Sequence, residues 1–351
     1  MENLEGLIMR VLVTGHKGYI GTVMVPMLLG AGHEVVGLDS DLFEACTFGT
    51  NGIREIPEMR KDGRVVAADV LQGFDAVIHL AGLSNDPLGD LNPELTYEIN
   101  HRASVRLAQL SKELGVSRFV FSSSCSNYGA GGEDMLTEES PFNPVTPYGK
   151  SKVLVEQDVS KLADDRFSPT FLRNATAFGV SPRLRFDLVL NNLAAWAVTT
   201  GRIYIKSDGT PWRPIVHIAD ISRAFLAVLT APRELVHNQA FNVGRNEDNY
   251  RIRTLAEIVK ETAPDCRIEF AEGAGPDKRC YRVDCSKILR TLPGFQPQWS
   301  ARLGARELHT AYRQVGLTLE EFEGERYKRV AHIQKLLRTG SIDASLRWKG
   351  R

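Results

Sequence analysis

Residues 8–21 read Ile-Met-Arg-Val-Leu-Val-Thr-Gly-His-Lys-Gly-Tyr-Ile-Gly: an apolar run closed at once by three glycines. Ile8 to Thr14, apolar but for Arg10 and Thr14, has the character of a buried parallel strand. Gly15, Gly18 and Gly21 follow, and the apolar stretch Thr22 to Leu29 continues as a helix. Strand, glycine turn and helix together are the context a dinucleotide site needs. Glycines let the backbone approach a diphosphate, and the helix start offers N–H groups and a positive dipole end. The spacing is GxxGxxG, not the commoner GxGxxG, and a ligand-free turn remains an open reading.

Working outward, the next strand, Glu34 to Leu38, ends in Asp39, 18 residues past Gly21. An acid there accepts both adenosine-ribose hydroxyls and repels a 2′-phosphate, favouring NAD over NADP. An exposed loop acid is the plainer alternative. A third strand is expected at Val65 to Ala68, closed by Asp69 and Val70, with Asp69 placed for the adenine amino group or simply ending the strand. Ala76 to Leu80 is a fourth strand, and Ala81 and Gly82 let the chain pass close to a cofactor. His79 within that strand reads as a core histidine. Ser84, Asn85 and Asp86 fall in the loop at its carboxyl end, where open α/β sheets hold ligands.

Pro93 starts a long helix to Leu114 that carries Asn100, and Arg118 to Ser122 is a fifth strand. That strand delivers Ser122, Ser123, Ser124, Cys125 and Ser126 at its end. A second long helix, about Thr146 to Leu162, presents Tyr148 and Lys152 four residues apart on one face. A hydroxyl, a phenol and an ammonium gathered in this way can move a proton to or from an alcohol oxygen beside a hydride acceptor. Serines at a strand end are often turn formers, so Ser124 gains its meaning from the other two.

The ordered set resembles the extended short-chain dehydrogenase/reductases that act on nucleotide sugars, within the NAD-dependent epimerase/dehydratase superfamily. It comprises TGxxGxxG at Thr14 to Gly21, Asp39, Asp69, HLAG at His79 to Gly82, the serine run about Ser124 leading into Tyr128-Gly129, and YGKSK from Tyr148. The resemblance spans roughly residues 8 to 290. It implies an α/β fold, a Rossmann-like doubly wound parallel sheet with a smaller C-terminal substrate lobe. The boundaries it suggests are 8–178, with 214–244 returning to the sheet, for NAD; 179–213 and 245–317 for the nucleotide sugar; and 318–351 as a helical extension read as a packing or dimer helix. Tyr148 would be the acid/base, Lys152 would bind the nicotinamide ribose and lower the phenol's pKa, and Ser124 would hydrogen-bond the reacting oxygen. The cofactor set implied is Gly15, Gly18, Tyr19, Ile20, Gly21, Asp39, Asp69, Val70, Leu80, Ala81, Gly82, Asn100 and Ser122 with Tyr148 and Lys152.

In the second half, Ser168 to Leu172 is a sixth strand, followed by Asn174 and by Thr176 where relatives carry Asn. Asn191-Asn192-Leu193 resembles the segment that grips the nucleotide. Residues 208–221 resemble the family's G-x-x-x-R-D-x-I/V-H-V-x-D pattern, with Arg213 in the diphosphate-binding place and Pro214 for the usual Asp. A guanidinium suits a phosphate through its planar fork of donors. Asp220 is expected to cap the next helix, Phe241 to Gly244 to be a strand, and Thr254 with Glu257 to form a capping box. Asp277-Lys278-Arg279 and Asp284 resemble a segment closing over the nucleotide, and Arg279 or Arg282 replaces an arginine that relatives place at Ala274. Ser84, Cys125, Ser126, Asn174, Thr176, Asn192, Arg213 and Arg279 make up the substrate set.

Relatives that dehydrate show Asp-Glu after the catalytic hydroxyl, and decarboxylases keep a glutamate where Ser126 stands. This chain has Cys125 and Ser126. The remaining expectation is a nucleotide-sugar 4-epimerase, with an NAD(H)-dependent 4-ketoreductase or dehydratase and a non-catalytic NAD-binding regulator as alternatives. Cys125 is either a small packing residue or a weak acid beside the sugar.

Composition agrees with this and excludes other classes. Lys plus Arg equals Asp plus Glu at 43 each, so no charge excess points to nucleic acid or an anionic membrane surface. The leader is short and acidic, and no apolar run reaches the roughly 20 residues of a membrane span. Five scattered cysteines, Cys46, Cys125, Cys266, Cys280 and Cys285, form no CxxC pair or zinc spacing. A reduced, cytoplasmic, metal-free homodimer is expected, the dimer on the family resemblance alone.

Overall fold

In the computed structural model, residues 8–49, 52–273, 275 and 279–350 are described. Asp277, Lys278 and Ala274 lie outside them. The core is a seven-stranded parallel sheet: β1 Arg10–Thr14, β2 Glu34–Asp39, β3 Glu58–Arg60, β4 Ala76–His79, β5 Arg118–Ser124, β6 Ser168–Asn174 and β7 Gln239–Val243. Their spatial order is β3-β2-β1-β4-β5-β6-β7. The chain winds one way from β1 to β3 and the other way from β4, so the switch point lies between β1 and β4, where doubly wound sheets bind ligands. Val11, Leu12 and Val13 are fully buried, as a strand covered on both faces requires.

The third strand is not where the apolar run placed it. Val65 is 56% exposed and ends a 3-10 turn whose cap is Asp62. The sheet is extended instead by Glu58–Arg60, paired with Gly37 to Asp39. A three-residue polar edge strand carries almost no apolar pattern, so periodicity cannot find it.

The helices that carry the site are α1 (Gly21–Gly30), α2 (Ala103–Glu113) and α3 (Pro147–Ser160). The expected helix from Pro93 is continuous to Glu113, but a π-helical segment, Tyr97–Arg102, joins Pro93–Thr96 to α2 and holds the buried Asn100. Thr146 caps α3, its hydroxyl accepting from the Gly149 N–H at 3.1 Å, and proline follows at the first helical position.

The second lobe packs α4 (Val189–Thr200) with helices Ile252–Thr262 and Ala301–Gln314 around Phe178, Leu184, Phe186 and Tyr312. Residues 214–217 do not return to the central sheet. Trp212–His217 forms a small sheet with Thr176–Phe178 and Asn249–Arg251, and only Gln239–Val243 joins the main one. Asp220 does not cap α5 (Ile218–Thr230). His217 does, and the Asp220 carboxylate instead accepts the N–H groups of Gln298 and Trp299, both at 2.9 Å. No side chain caps the helix at Ile252, so Thr254 and Glu257 make no capping box there; one forms at Thr318 and Glu321. Beyond Leu317 the chain forms Leu319–Glu323 and α6 (Arg329–Arg338), then folds back with Ile342 paired to Trp348.

Candidate active site

Two adjoining cavities follow the carboxyl ends of the strands. The smaller, of about 170 Å³, runs from Asp39 and Asp62 past Gly15 to Gly21; the larger, of about 750 Å³, holds Ser124, Tyr148, Lys152, Asn192 and Arg213. Tyr19, Ile20, Leu80, Gly82, Ser84, Arg185 and Arg329 line both, so the two form one continuous trough.

The glycine turn is tight for a backbone reason. Gly15 has φ 75°, and a Cβ there would sit 2.7 Å from the Ala81 nitrogen. One at Gly21 would meet the Gly15 and His16 backbone at 2.5 Å. Any side chain at these two positions would push the turn away from the helix start, so the cradle fits a dinucleotide diphosphate. The Asp39 carboxylate accepts the Lys17 N–H at 2.9 Å and the Asp41 N–H at 2.8 Å, which fixes it at the end of β2 facing the smaller cavity. Burial raises its pKa against those two donors, which lower it.

Asp69 is exposed on a 3-10 turn and Val70 is buried in the core with Leu12 and Val36; neither lines the trough. With β3 displaced to Glu58–Arg60, the Asp39 end of the smaller cavity is bordered by Lys61, Asp62, Gly63 and Arg64. Arg64 bonds to Asp62 and holds its carboxyl below the usual range against a burial effect that raises it. Asn100 is also displaced from its expected role. Its side chain accepts the Leu83 N–H at 2.7 Å and donates to the Leu83 carbonyl at 2.9 Å, so it clamps the loop after β4 from behind the trough. His79 is a satisfied core residue between Thr14 at 2.6 Å and Ser104 at 2.7 Å.

Ser124, Tyr148 and Lys152 converge on the larger cavity. The Lys152 ammonium donates to the Ser122 carbonyl at 2.7 Å and lies 4.5 Å from the Phe121 ring centre. Burial lowers it to about 7. Burial likewise raises the Tyr148 phenol to about 12, while hydrogen bonding with Ser124 works the other way. The protein alone therefore does not show the lowered phenol pKa expected from Lys152: burial is the larger effect, and the ammonium is engaged by the Ser122 carbonyl.

Cys125 does not face the larger cavity. It is fully buried, donates to the Arg173 carbonyl at 3.1 Å, and packs with Tyr128, Tyr281, Val283 and Cys285. The chain leaves β5 through a 3-10 turn, Cys125–Tyr128, which turns the thiol inward while Ser126 lines the cavity. Asn174 donates to Ser122 and Ser123, its own oxygen having no partner among the described residues, and it lines the cavity with Thr176. The Asn192 amide donates to the Phe186 carbonyl at 2.9 Å. Arg213, 7% exposed, donates to the Arg279 carbonyl, and Arg279 pairs with Asp86 at 2.7 Å in the cavity wall.

Sequence reading missed four contributors. Arg185 lies at the junction, bonded to Asp187 at 2.6 Å and to Ser84 at 3.1 Å. Its signal was the alternation Arg183-Leu-Arg185-Phe-Asp187, charges in an apolar segment too buried to be a solvated face. Asp62 was hidden by the misplaced strand, and Asp86 was placed in the loop without its partner. Arg329, on α6, lay beyond the resemblance altogether.

A seven-stranded doubly wound sheet with a glycine cradle and a Ser, Tyr, Lys cluster defines an NAD-dependent α/β enzyme. The chain belongs to the NAD dependent epimerase/dehydratase family, whose model matches residues 11–244. It is 28% identical over 328 residues to a UDP-glucose 4-epimerase of Bacillus subtilis, covering 86% of this chain and 94% of that one. It is 31% identical over 326 residues to a UDP-glucose 4-epimerase of Neisseria meningitidis, covering 82% and 93%. Among solved structures, MoeE5 in complex with UDP-glucuronic acid and NAD superposes with a TM-score of 0.76 at 25% identity, over 87% of this chain and 99% of that one. The cofactor is NAD, and the protein is a nucleotide-sugar epimerase/dehydratase-type enzyme. Among the described residues no helix is long and apolar enough to cross a membrane.

Proposed function

We propose that the protein is a nucleotide-sugar 4-epimerase. The observation that carries this reading is the state of the carboxylates lining the larger cavity. Asp86 is engaged by Arg279 at 2.7 Å and by the Thr146 hydroxyl at 2.5 Å, and Asp187 by Arg185 at 2.6 Å. Removing water from a sugar needs an acid for the leaving hydroxyl and a base for the neighbouring carbon. With those two carboxylates tied to arginines, Tyr148 and Ser124 remain as the proton-moving pair, which suffices for reversible oxidation of one hydroxyl. This supports epimerisation over dehydration.

NAD, when bound, supplies the hydride acceptor at C4 and a positive ring beside the phenol. Gly15 to Gly21 would hold its diphosphate, Asp39 its adenosine ribose and Lys152 its second ribose. Tyr148 takes the hydroxyl proton and later returns it. Ser124 hydrogen-bonds the same oxygen and stabilises the phenolate. Lys152, fixed by the Ser122 carbonyl, contributes charge and position. Arg213 and Asn192 hold the nucleotide end through the planar fork and the amide.

The test is a panel of UDP-, GDP-, CDP- and dTDP-hexoses with the purified protein, products being assigned by NMR and NADH followed by absorbance. A 4-epimer formed with no net NADH consumption supports the reading. Stoichiometric consumption of NADH identifies a 4-ketoreductase instead, and a 4-keto-6-deoxy product identifies a dehydratase.

A further inference from the structure

Residues beyond Leu317 lie outside the segment matched by the family and fold across the narrow, Asp39 end of the trough. Arg326 donates to the carbonyls of Ala45 at 3.0 Å and Thr47 at 2.7 Å. His332 bonds to the Leu42 carbonyl at 3.1 Å, and the Trp348 indole donates to the Ser40 carbonyl at 2.7 Å. From the other wall, Arg64 donates to the Ser345 carbonyl at 2.8 Å, and Arg347 lies 3.5 Å from Asp62. Ile333, Ile342 and Leu346 bury against Leu83, Leu88 and Leu95 beyond β4. The segment thus ties the loop after β2 to the loop after β4, the two walls of the groove.

At its start stands Arg329, 2% exposed and lining both cavities. One terminal nitrogen donates to the Arg183 carbonyl at 3.0 Å; the other has no partner among the described residues. The guanidinium carbon lies 4.0 Å from the Phe43 ring centre. Neighbouring Arg185 is matched by Asp187, whereas no carboxylate among the described residues pairs with Arg329 within ion-pair distance. A buried guanidinium with no direct ion pair is costly: burial together with Arg185 lowers its pKa to about 10, against a weaker opposing pull from Cys46 and Asp187, which leaves it charged at neutral pH. The junction it faces also holds Tyr19 and Ile20, at the start of α1, where anions are favoured.

We propose that Arg329 binds the diphosphate of the dinucleotide, and that residues 318–350 form a strap that retains the cofactor between turnovers. A diphosphate would bond the unpartnered nitrogen and neutralise the guanidinium. The strap would have to lift from Ser40, Leu42 and Asp62 before the dinucleotide leaves. This suits a reaction that returns its hydride, because the cofactor need never exchange, but the inference rests only on NAD as cofactor and not on the sugar chemistry.

The test uses the full chain stripped of nucleotide, with calorimetric titration of NAD, adenosine and UDP, and stopped-flow release of NAD. Arg329→Gln is expected to weaken NAD at least tenfold while adenosine and UDP stay within twofold of the parent. Arg329→Lys should recover part of the loss. Trp348→Ala, at the far end of the strap, should speed NAD release at least tenfold. NAD affinity within twofold of the parent for Arg329→Gln overturns the assignment. Equal losses for adenosine and NAD also overturn it, as a structural effect, and a loss for UDP alone moves the anion to the substrate. Should Arg329→Gln not fold, unchanged NAD release in Trp348→Ala and unchanged NAD affinity in Arg329→Lys sink the proposal. None of these readouts needs turnover, so a failed 4-epimerase assay leaves them interpretable.

Discussion

The Lys152 ammonium and the Ser122 carbonyl oxygen lie 2.7 Å apart, a buried amine held by a strand end and, among the described residues, by no carboxylate at bonding distance. Glu156, one turn further along α3, is given over to Arg173. Position is gained here at a cost in stability, as active sites often show.

Lys152→Met is therefore expected to stabilise the protein while removing turnover. The folded pKa, about 7, lies below the ordinary 10.5, so the unfolded chain holds a proton that the folded chain gives up between those values. Stability contributed by this group rises with pH across that window. At about 1.4 kcal/mol per unit, the methionine variant should be more stable by up to a few kcal/mol at pH 7. The gap should close towards pH 10. Urea midpoints of both proteins at pH 6.5 and 9.5 measure this, and a constant gap would show that desolvation of Lys152 is not the cause.

Tyr148→Phe removes the phenolic oxygen but leaves the ring that borders the larger cavity. A positioned acid/base contributes on the order of 10² to 10⁴ in rate, so turnover should fall by at least about 100-fold. NAD affinity by titration should stay within a few-fold. Near-parental turnover would assign the proton to another group.

Asp39→Ala should raise acceptance of NADP relative to NAD. The carboxylate is fixed by the N–H groups of Lys17 and Asp41, and Lys17 itself pairs with Glu58 at 2.7 Å and Asp41 at 3.4 Å. With the acid gone, Lys61 and Arg64, which border the same cavity, are the cations available to a 2′-phosphate. The ratio of dissociation constants for the two cofactors should shift at least tenfold, and an unchanged ratio would free Asp39 of its discriminating role.

What the sequence carried is what the backbone enforces locally. A glycine turn with φ 75° and a Cβ clash at 2.7 Å leaves its mark as glycine. Tyr148 and Lys152 share a helical face by spacing alone. What it hid depends on distant partners. Asp62 reaches the Asp39 end of the smaller cavity because a three-residue edge strand, Glu58–Arg60, replaced a more apolar run as β3. Asn100 lies buried in a π-helical segment that no propensity announces. Cys125 and Ser126 are adjacent, and only the 3-10 turn decides which faces the larger cavity. Arg329 reaches the trough from 146 residues beyond Arg183, its backbone partner.

Glu156 and Arg173 underlie all of this geometry, and their removal gives the clearest stability prediction. Both are about 5% exposed. Arg173 bonds the carboxylate through Nε at 3.1 Å and through a terminal nitrogen at 2.7 Å, while the Ser123 hydroxyl and the Asn127 amide donate to it at 2.5 and 2.9 Å. Glu156 thereby pins α3, which carries Tyr148 and Lys152, to the Ser123 hydroxyl at the end of β5, which carries Ser124, and Arg173 on β6 holds the carboxylate in place for that bond. Breaking one side of a buried pair costs about 3–5 kcal/mol, because the other charge remains buried. Arg173→Met should lower the urea midpoint accordingly and reduce turnover by displacing Ser124. Arg173→Met with Glu156→Leu should recover a substantial part of the stability, since no lone charge is left, but little of the turnover, since β5 and α3 stay unpinned. If the double variant were as unstable as the single one, the cost would lie in packing and not in the stranded charge. If it recovered full turnover, the pair would not be what aligns the serine with the phenol.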